Sequence, residues 1–267
     1  MTQQIHPSFA GYADRLEGRF ALWAGSLAGP IDAGMALLAQ DGVLAALYDR
    51  RPEVWSDDPQ VQARIGNRLG WLVSPDGMLP HLERLRQFAS DVRSDGFTDV
   101  VLLGMGGSSL APEVLRSVVG TREGWMTLRM LDSTDPASVA AVRSSVDLAR
   151  TLFLLASKSG GTVEPNSMAA FFRQELTDAG LAWARHFVAV TDEGTALHRR
   201  AVAEGFRDVF LNPADIGGRY SALSFFGLVP AALMGLDIEA VVNWGRAMLW
   251  VCGPDRPLAS NPAALPG

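Results

Sequence analysis

A chain of 267 residues with 48% hydrophobic content can bury a full core, as one large domain or as a domain with a helical extension. Its net charge of −6, without any run of lysine and arginine, disfavours nucleic acid and anionic membranes as partners. A single cysteine, Cys252, leaves no internal disulfide and no thiolate metal site, and His6, His81, His186 and His198 show no ligand spacing, so no metal is expected.

Met1-Thr2-Gln3-Gln4 lacks the basic-then-apolar order of a secretory leader, and the composition suits a reducing cytoplasm. Residues 1–95 carry mostly helical spacing, as at 34–38 and 81–88, punctuated by Pro52, Pro59, Pro75 and Pro80. They read as a helical N-terminal subdomain. From residue 96 short apolar runs alternate with amphipathic stretches at the interval of βαβ units. Strands are expected at 99–103, 127–131, 152–156, 187–190 and 209–211. Helices are expected near 111–119, 136–143, 165–179 and 195–204, with another starting near Gly217 or Ser221.

The runs 100–103 and 152–155 are continuously apolar, as in parallel strands covered on both faces. The predicted fold is therefore α/β: a three-layer α/β/α, doubly wound parallel sheet of about five strands over 96–250, then a tail at 251–267. The apolar tract 222–236 contains Ser224, Gly227, Pro230 and Gly235; it falls short of a membrane span and reads as a buried helix or helix pair.

In such folds the ligand lies beyond the carboxyl ends of the strands, so the loops there carry the chemistry. Ser157-Lys158-Ser159-Gly160-Gly161-Thr162-Val163-Glu164-Pro165 follows a strand and opens a helix. It offers backbone N–H groups, hydroxyls and a helix N-terminus to one point, which suits an anion and above all a phosphate. Gly104-Met105-Gly106-Gly107-Ser108-Ser109 lets the backbone approach a ligand closely. It also resembles a dinucleotide loop, but Ser109 takes the last glycine position, and Asp132 lies farther along than the usual spacing of ~20 residues. The stretches 132–136 and 191–195 read first as helix caps. Gly217-Gly218-Arg219-Tyr220-Ser221 sets an arginine at the mouth of an apolar helix, where a desolvated guanidinium needs an ion pair, as with Asp215, or a ligand.

These three motifs, in this order and at strand ends over about residues 65–250, resemble the first sugar-isomerase (SIS) domain of the glucose-6-phosphate isomerase family. The stretches 64–72 and 103–114 are similar to the isomerase part of bacterial bifunctional transaldolase/phosphoglucose isomerases. The resemblance implies interconversion of glucose 6-phosphate and fructose 6-phosphate through a cis-enediol, in glycolysis and gluconeogenesis, with no cofactor. It implies that Ser157, Ser159 and Thr162, with backbone from Lys158 and Gly161, hold the phosphate at the head of the helix that carries Glu164. Gly106, Gly107 and Ser108 would line the sugar site, Arg219 would stabilise enediol charge, and Gly218 would admit the backbone.

Two departures stand out. Pro165 replaces a hydroxyl common in the family, and no histidine lies in the family's ring-opening motif. The carboxylates at strand ends, Asp132, Glu164 and Asp192, do not occupy the family's base position. The expectation is an N-terminal half, with an absent second SIS domain supplying the base, a homodimer at full length, and possible fusion to a transaldolase. The alternative is a non-catalytic SIS module that binds a phosphosugar and regulates a partner.

Overall fold

A computed structural model describes residues 7–16, 23–258 and 261–264. The chain divides into two compact units, one of residues 1–77 with 239–267 and one of residues 78–238. The helices before the sheet are α1 (Pro7–Leu16), α2 (Ala28–Gln40), α3 (Val43–Tyr48), α4 (Pro59–Gly66), α5 (Ser74–Met78) and α6 (Leu82–Ser94). Then β1 (Asp99–Gly104), α7 (Leu110–Val118), β2 (Thr127–Leu131), α8 (Pro136–Ser144), β3 (Thr151–Ala156), α9 (Val163–Asp178), β4 (Phe187–Asp192), α10 (Ala196–Ala203) and β5 (Asp208–Asn212) alternate strictly. The chain continues through α11 (Phe225–Leu233) and α12 (Ile238–Val251).

The five strands form one parallel sheet in the order β2-β1-β3-β4-β5. That order reverses direction between β1 and β3, which makes the carboxyl edge there the topological switch point of the sheet. Alternate side chains go to opposite faces of a strand, and here both sets are apolar. Val101, Leu103, Phe153 and Leu155 belong to a buried cluster with Met168, Phe172 and Leu176 of α9 and Leu197 and Ala201 of α10. Phe153 stacks on Phe172 at 4.5 Å. The other set, Val100, Leu102, Leu152 and Leu154, is as fully buried. On that side Phe210 of β5 meets Phe88 of α6 at 5.0 Å and Phe225 of α11 at 5.5 Å. The fold is thus the three-layer α/β/α arrangement.

Helix α6 buries Leu82, Leu85, Phe88, Ala89 and Val92, one stripe at helical spacing, and lies in the sheet unit, whereas the sequence reading groups it with residues 1–95. The tract 222–236 yields α11, buried throughout. No described helix is long and apolar enough to cross a membrane. In the other unit Ala13 packs with Ala247 and Val251, and Arg246 Nε donates to Asp76 Oδ1 at 2.6 Å. Helix α2 forms over the expected apolar spacing yet buries none of its side chains.

Candidate functional site

The strand β3 is buried along its whole length and delivers Ser157, itself 2% exposed, to the carboxyl edge. The Ser157 N–H donates to Val190 O at 3.0 Å, which extends the β3–β4 pairing by one step. The chain then turns sharply: Gly160 N donates to Ser157 O at 3.2 Å with Gly160 at φ +67°. A Cβ at Gly160 would come within 2.9 Å of Leu197 and Thr195, so only glycine fits. The turn brings Ser157 Oγ to 3.1 Å from Thr162 Oγ1.

Asn166 holds the turn from the helix side, its Nδ2 donating to Thr162 O at 2.7 Å and Gly160 O at 3.3 Å. Arg200 of α10 in turn donates to Asn166 Oδ1 at 3.0 Å. Ser159 Oγ accepts from Gly161 N at 3.3 Å. Among the described residues, the backbone N–H groups of Lys158, Ser159 and Thr162 have no backbone acceptor. They lie at the start of α9, where the helix dipole adds partial positive charge. Helix α9 begins at Val163, so Pro165 stands within its first turn rather than at its head, and Glu164 is half-buried beside it.

The glycine loop after β1 makes a 3₁₀ turn over Gly106–Ser108, with Gly106 at φ +53°. It meets the segment 217–221 at contact distance. A Cβ on Gly107 would lie 2.4 Å from the Gly218 carbonyl carbon, so the close backbone approach requires glycine at 107, whereas a Cβ on Gly218 would meet only Gly107 Cα, at an ordinary 3.7 Å. Ser221 Oγ seals the junction, 2.7 Å from Gly218 O and 3.1 Å from Gly107 O. Ser108 is half-buried and Ser109 buried, its Oγ donating to Gly106 O at 3.0 Å.

Arg219 differs from the sequence expectation. It is exposed in a 3₁₀ turn over Gly218–Leu223, several residues before α11 begins at Phe225, so it is not desolvated at a helix mouth. Its guanidinium makes no ion pair among the described residues, with Asp215 or otherwise. The cap readings of the other loops match the structure: Asp135 Oδ2 accepts from Ser138 N at 2.9 Å, and Thr195 Oγ1 from His198 N at 3.1 Å. His186 is buried, with Nδ1 2.9 Å from Thr151 O.

What the residue-by-residue reading misses is the engagement of Lys158. Its Nζ donates to Asp192 Oδ2 at 2.6 Å and to Ala214 O at 2.7 Å. Asp192 is therefore held by a cation rather than open toward the loop, and Asp132 stands exposed after the edge strand β2. The signal was compositional: Lys158 is the sole lysine of the chain.

Residues 76–249 match the family model described as phosphoglucose isomerase. The chain belongs to the phosphoglucose isomerase family. A glucose-6-phosphate isomerase of Cyanothece sp. is 35% identical over 228 residues, which is 78% of this chain and 42% of that protein. A hypothetical protein from Thermus thermophilus superposes with a TM-score of 0.73 and 27% identity, covering 90% of this chain and 55% of the other. A glucose-6-phosphate isomerase from Chlamydia trachomatis gives a TM-score of 0.56 at 27% identity, covering 82% and 39%. The chain spans about 40% of the length of the curated relatives it matches. All three motifs of the site lie inside the matched span, between β1 and α11.

Proposed function

We propose that this chain supplies the phosphate- and sugar-binding part of a glucose-6-phosphate isomerase acting on glucose 6-phosphate and fructose 6-phosphate. The observation that carries this reading is the convergence of the β1, β3 and post-β5 loops at the β1/β3 switch point, in a chain of that family. In this reading the N–H groups of Lys158, Ser159 and Thr162 and the hydroxyls of Ser157, Ser159 and Thr162 hold the phosphate, and the Gly161 N–H joins them by exchanging its 3.3 Å bond to Ser159 Oγ for one to the anion. Gly106, Gly107 and Ser108 line the sugar, with Glu164 at the rim and Gly218 admitting the backbone. Binding the unreacting phosphate fixes the position of C1 and C2 and contributes to the chemical step through orientation. Arg219, exposed and free of an ion partner among the described residues, turns toward the substrate and stabilises charge on the enediol oxygens.

The proton that moves between C2 and C1 needs a base within hydrogen-bond reach. The resemblance to the family puts the base in a second SIS-type domain outside these residues, and none of Asp132, Glu164 and Asp192 occupies the family's base position; Asp192 is moreover tied to Lys158. The relatives' greater length supports that division. The same reading takes the full-length enzyme as a cytoplasmic homodimer, and the resemblance of 64–72 and 103–114 supports a transaldolase-fused parent.

Because Lys158 is the only lysine, labelling with 15N-lysine yields one backbone cross-peak, placed in the phosphate loop itself. Fructose 6-phosphate and inorganic phosphate should each shift it saturably at millimolar concentrations or below, while the chain alone should not interconvert the sugars. An unmoved peak overturns the phosphate site, and robust turnover overturns the division of labour. If Arg219→Ala leaves sugar-phosphate affinity unchanged and the parent reading frame proves to be no longer than this chain, the non-catalytic sensor module becomes the better description.

A further inference from the structure

Of the 23 lysine and arginine side chains, 22 are arginine and one is Lys158. That lone ammonium sits where acceptors from two different strand ends converge on a single atom, Asp192 Oδ2 at 2.6 Å and Ala214 O at 2.7 Å. A tetrahedral ammonium carries three donors on one nitrogen and can meet both acceptors there, whereas a guanidinium spreads its donors over a planar fork on a different stem. The backbone of Lys158 reaches the same turn, its carbonyl accepting from Asp192 N at 3.3 Å and from Thr191 Oγ1 at 3.4 Å. The pair is mostly withdrawn from water, with side chains 23% and 13% exposed, so it is screened less than a surface pair.

We propose that Lys158 is a positioning residue that fastens the turns after β4 and β5 to the phosphate loop, and thereby sets where Arg219 stands relative to bound phosphate. This rests on the reading of 157–162 as the phosphate site. Ala214 lies at the start of the segment that passes through a tight turn, Ile216 N donating to Pro213 O at 3.3 Å, into Gly217, Gly218 and Arg219. Lys158 therefore has two separate tasks. Its backbone N–H faces the anion, and its side chain points away to hold the neighbouring strand ends.

One label reports both tasks. With lysine labelled in 13C and 15N in the whole chain, inorganic phosphate should shift the Lys158 backbone N–H while the ε-methylene keeps two distinct proton shifts, as for an immobilised side chain, and does not move. Asp192→Asn, which retains the lysine, should bring the two ε-proton shifts together. An ε-methylene that follows phosphate would make the ammonium a ligand contact, and a degenerate pair in the unmutated chain would leave it untethered; either overturns the proposal. A motionless backbone peak with a split ε-methylene instead overturns the phosphate reading and, with it, the coupling to Arg219, but leaves the fastening intact.

Coupling is read by calorimetry with arabinonate 5-phosphate, whose carboxylate carries charge where the enediol oxygens would. Arg219→Ala should weaken it about tenfold when Lys158 is present, but less than about twofold after Lys158→Met, Lys158→Arg or Asp192→Asn. Equal losses in every background mean that Arg219 is placed independently of Lys158 and overturn the proposal. Should the Lys158 variants fail to fold, Asp192→Asn decides the matter alone.

Discussion

The two ends of the sheet handle charge in opposite ways. At the amino ends of the strands, arginines and aspartates satisfy each other: Arg129 with Asp99 at 3.0 Å, Arg84 with Asp208 at 2.7 Å and Arg207 with Asp95 at 2.7 Å. At the carboxyl ends the ion pair of Lys158 with Asp192 is turned into the scaffold, and the loops around it offer glycines, hydroxyls, uncommitted N–H groups and the exposed Arg219 and Asp132. An end whose charges are already paired has little left to offer an anion. An end built from undirected donors has, and the helix dipole adds to it. The contrast supports the proposed anion site by what is left unsatisfied rather than by how many charged residues are present.

The variant expected to cost the most stability touches neither end. Phe153→Ala removes a fully buried ring that stacks on Phe172 and Phe187, and should cost about 3–5 kcal/mol by chemical denaturation. If the two ends were held independently of the core, phosphate binding would survive at denaturant concentrations where the sheet has melted; we expect both to be lost together. Gly107→Ala comes next, because its methyl would overlap the Gly218 backbone. A loss of about 2–3 kcal/mol is expected from such overpacking, together with loss of sugar-phosphate affinity in calorimetry. Gly106→Ala nearby meets nothing within 4 Å and pays only for its positive φ, about 1 kcal/mol, so it separates strain from collision.

The same contrast explains what could be read from the sequence. Strands 127–131 and 152–156 and the helix near 136–143 stand within a residue or so of β2, β3 and α8, because continuous apolar runs and a proline-led cap announce themselves locally. The turn at 157–162 and the helix after it were legible for a similar reason, since hydroxyls, glycines and the following helix are contiguous. The Lys158–Asp192–Ala214 contact was not, because its members come from three strand ends and only the sheet order makes them neighbours. Asp192 therefore looked like one more residue of a capping turn. Arg219 was misplaced because the pattern Gly-Gly-Arg before an apolar stretch does not reveal the intervening 3₁₀ turn that leaves it in water. Positions fixed by adjacent residues are visible in sequence; those fixed by parallel neighbours are not.

A smaller effect tests the amino end. Arg84→Ala removes the pair with Asp208 and a guanidinium lying 4.4 Å from the Phe210 ring, for roughly 1 kcal/mol in thermal or denaturant unfolding. Phosphate affinity, followed at the Lys158 amide, should stay unchanged. A change would mean that the two ends communicate and that the division drawn between them is false.

The smallest expected change in stability is the most informative. Ser157→Ala deletes one hydroxyl partner of Thr162, and because Thr162 is half-buried it can turn to water; the cost should be roughly 0.5 kcal/mol, at the low end for a hydrogen bond. Yet if that hydroxyl donates to a phosphate, its loss removes a hydrogen bond to a charged group, about 1.5–3 kcal/mol, or more than about tenfold in Kd. Stability and affinity therefore separate at this one position, whereas at Arg84 stability alone should move and at Gly107 both should. A Ser157→Ala chain that binds inorganic phosphate as tightly as its parent would show that the hydroxyl pair serves the loop's shape only. The anion would then have to be held by the backbone N–H groups of Lys158, Ser159 and Thr162 without it.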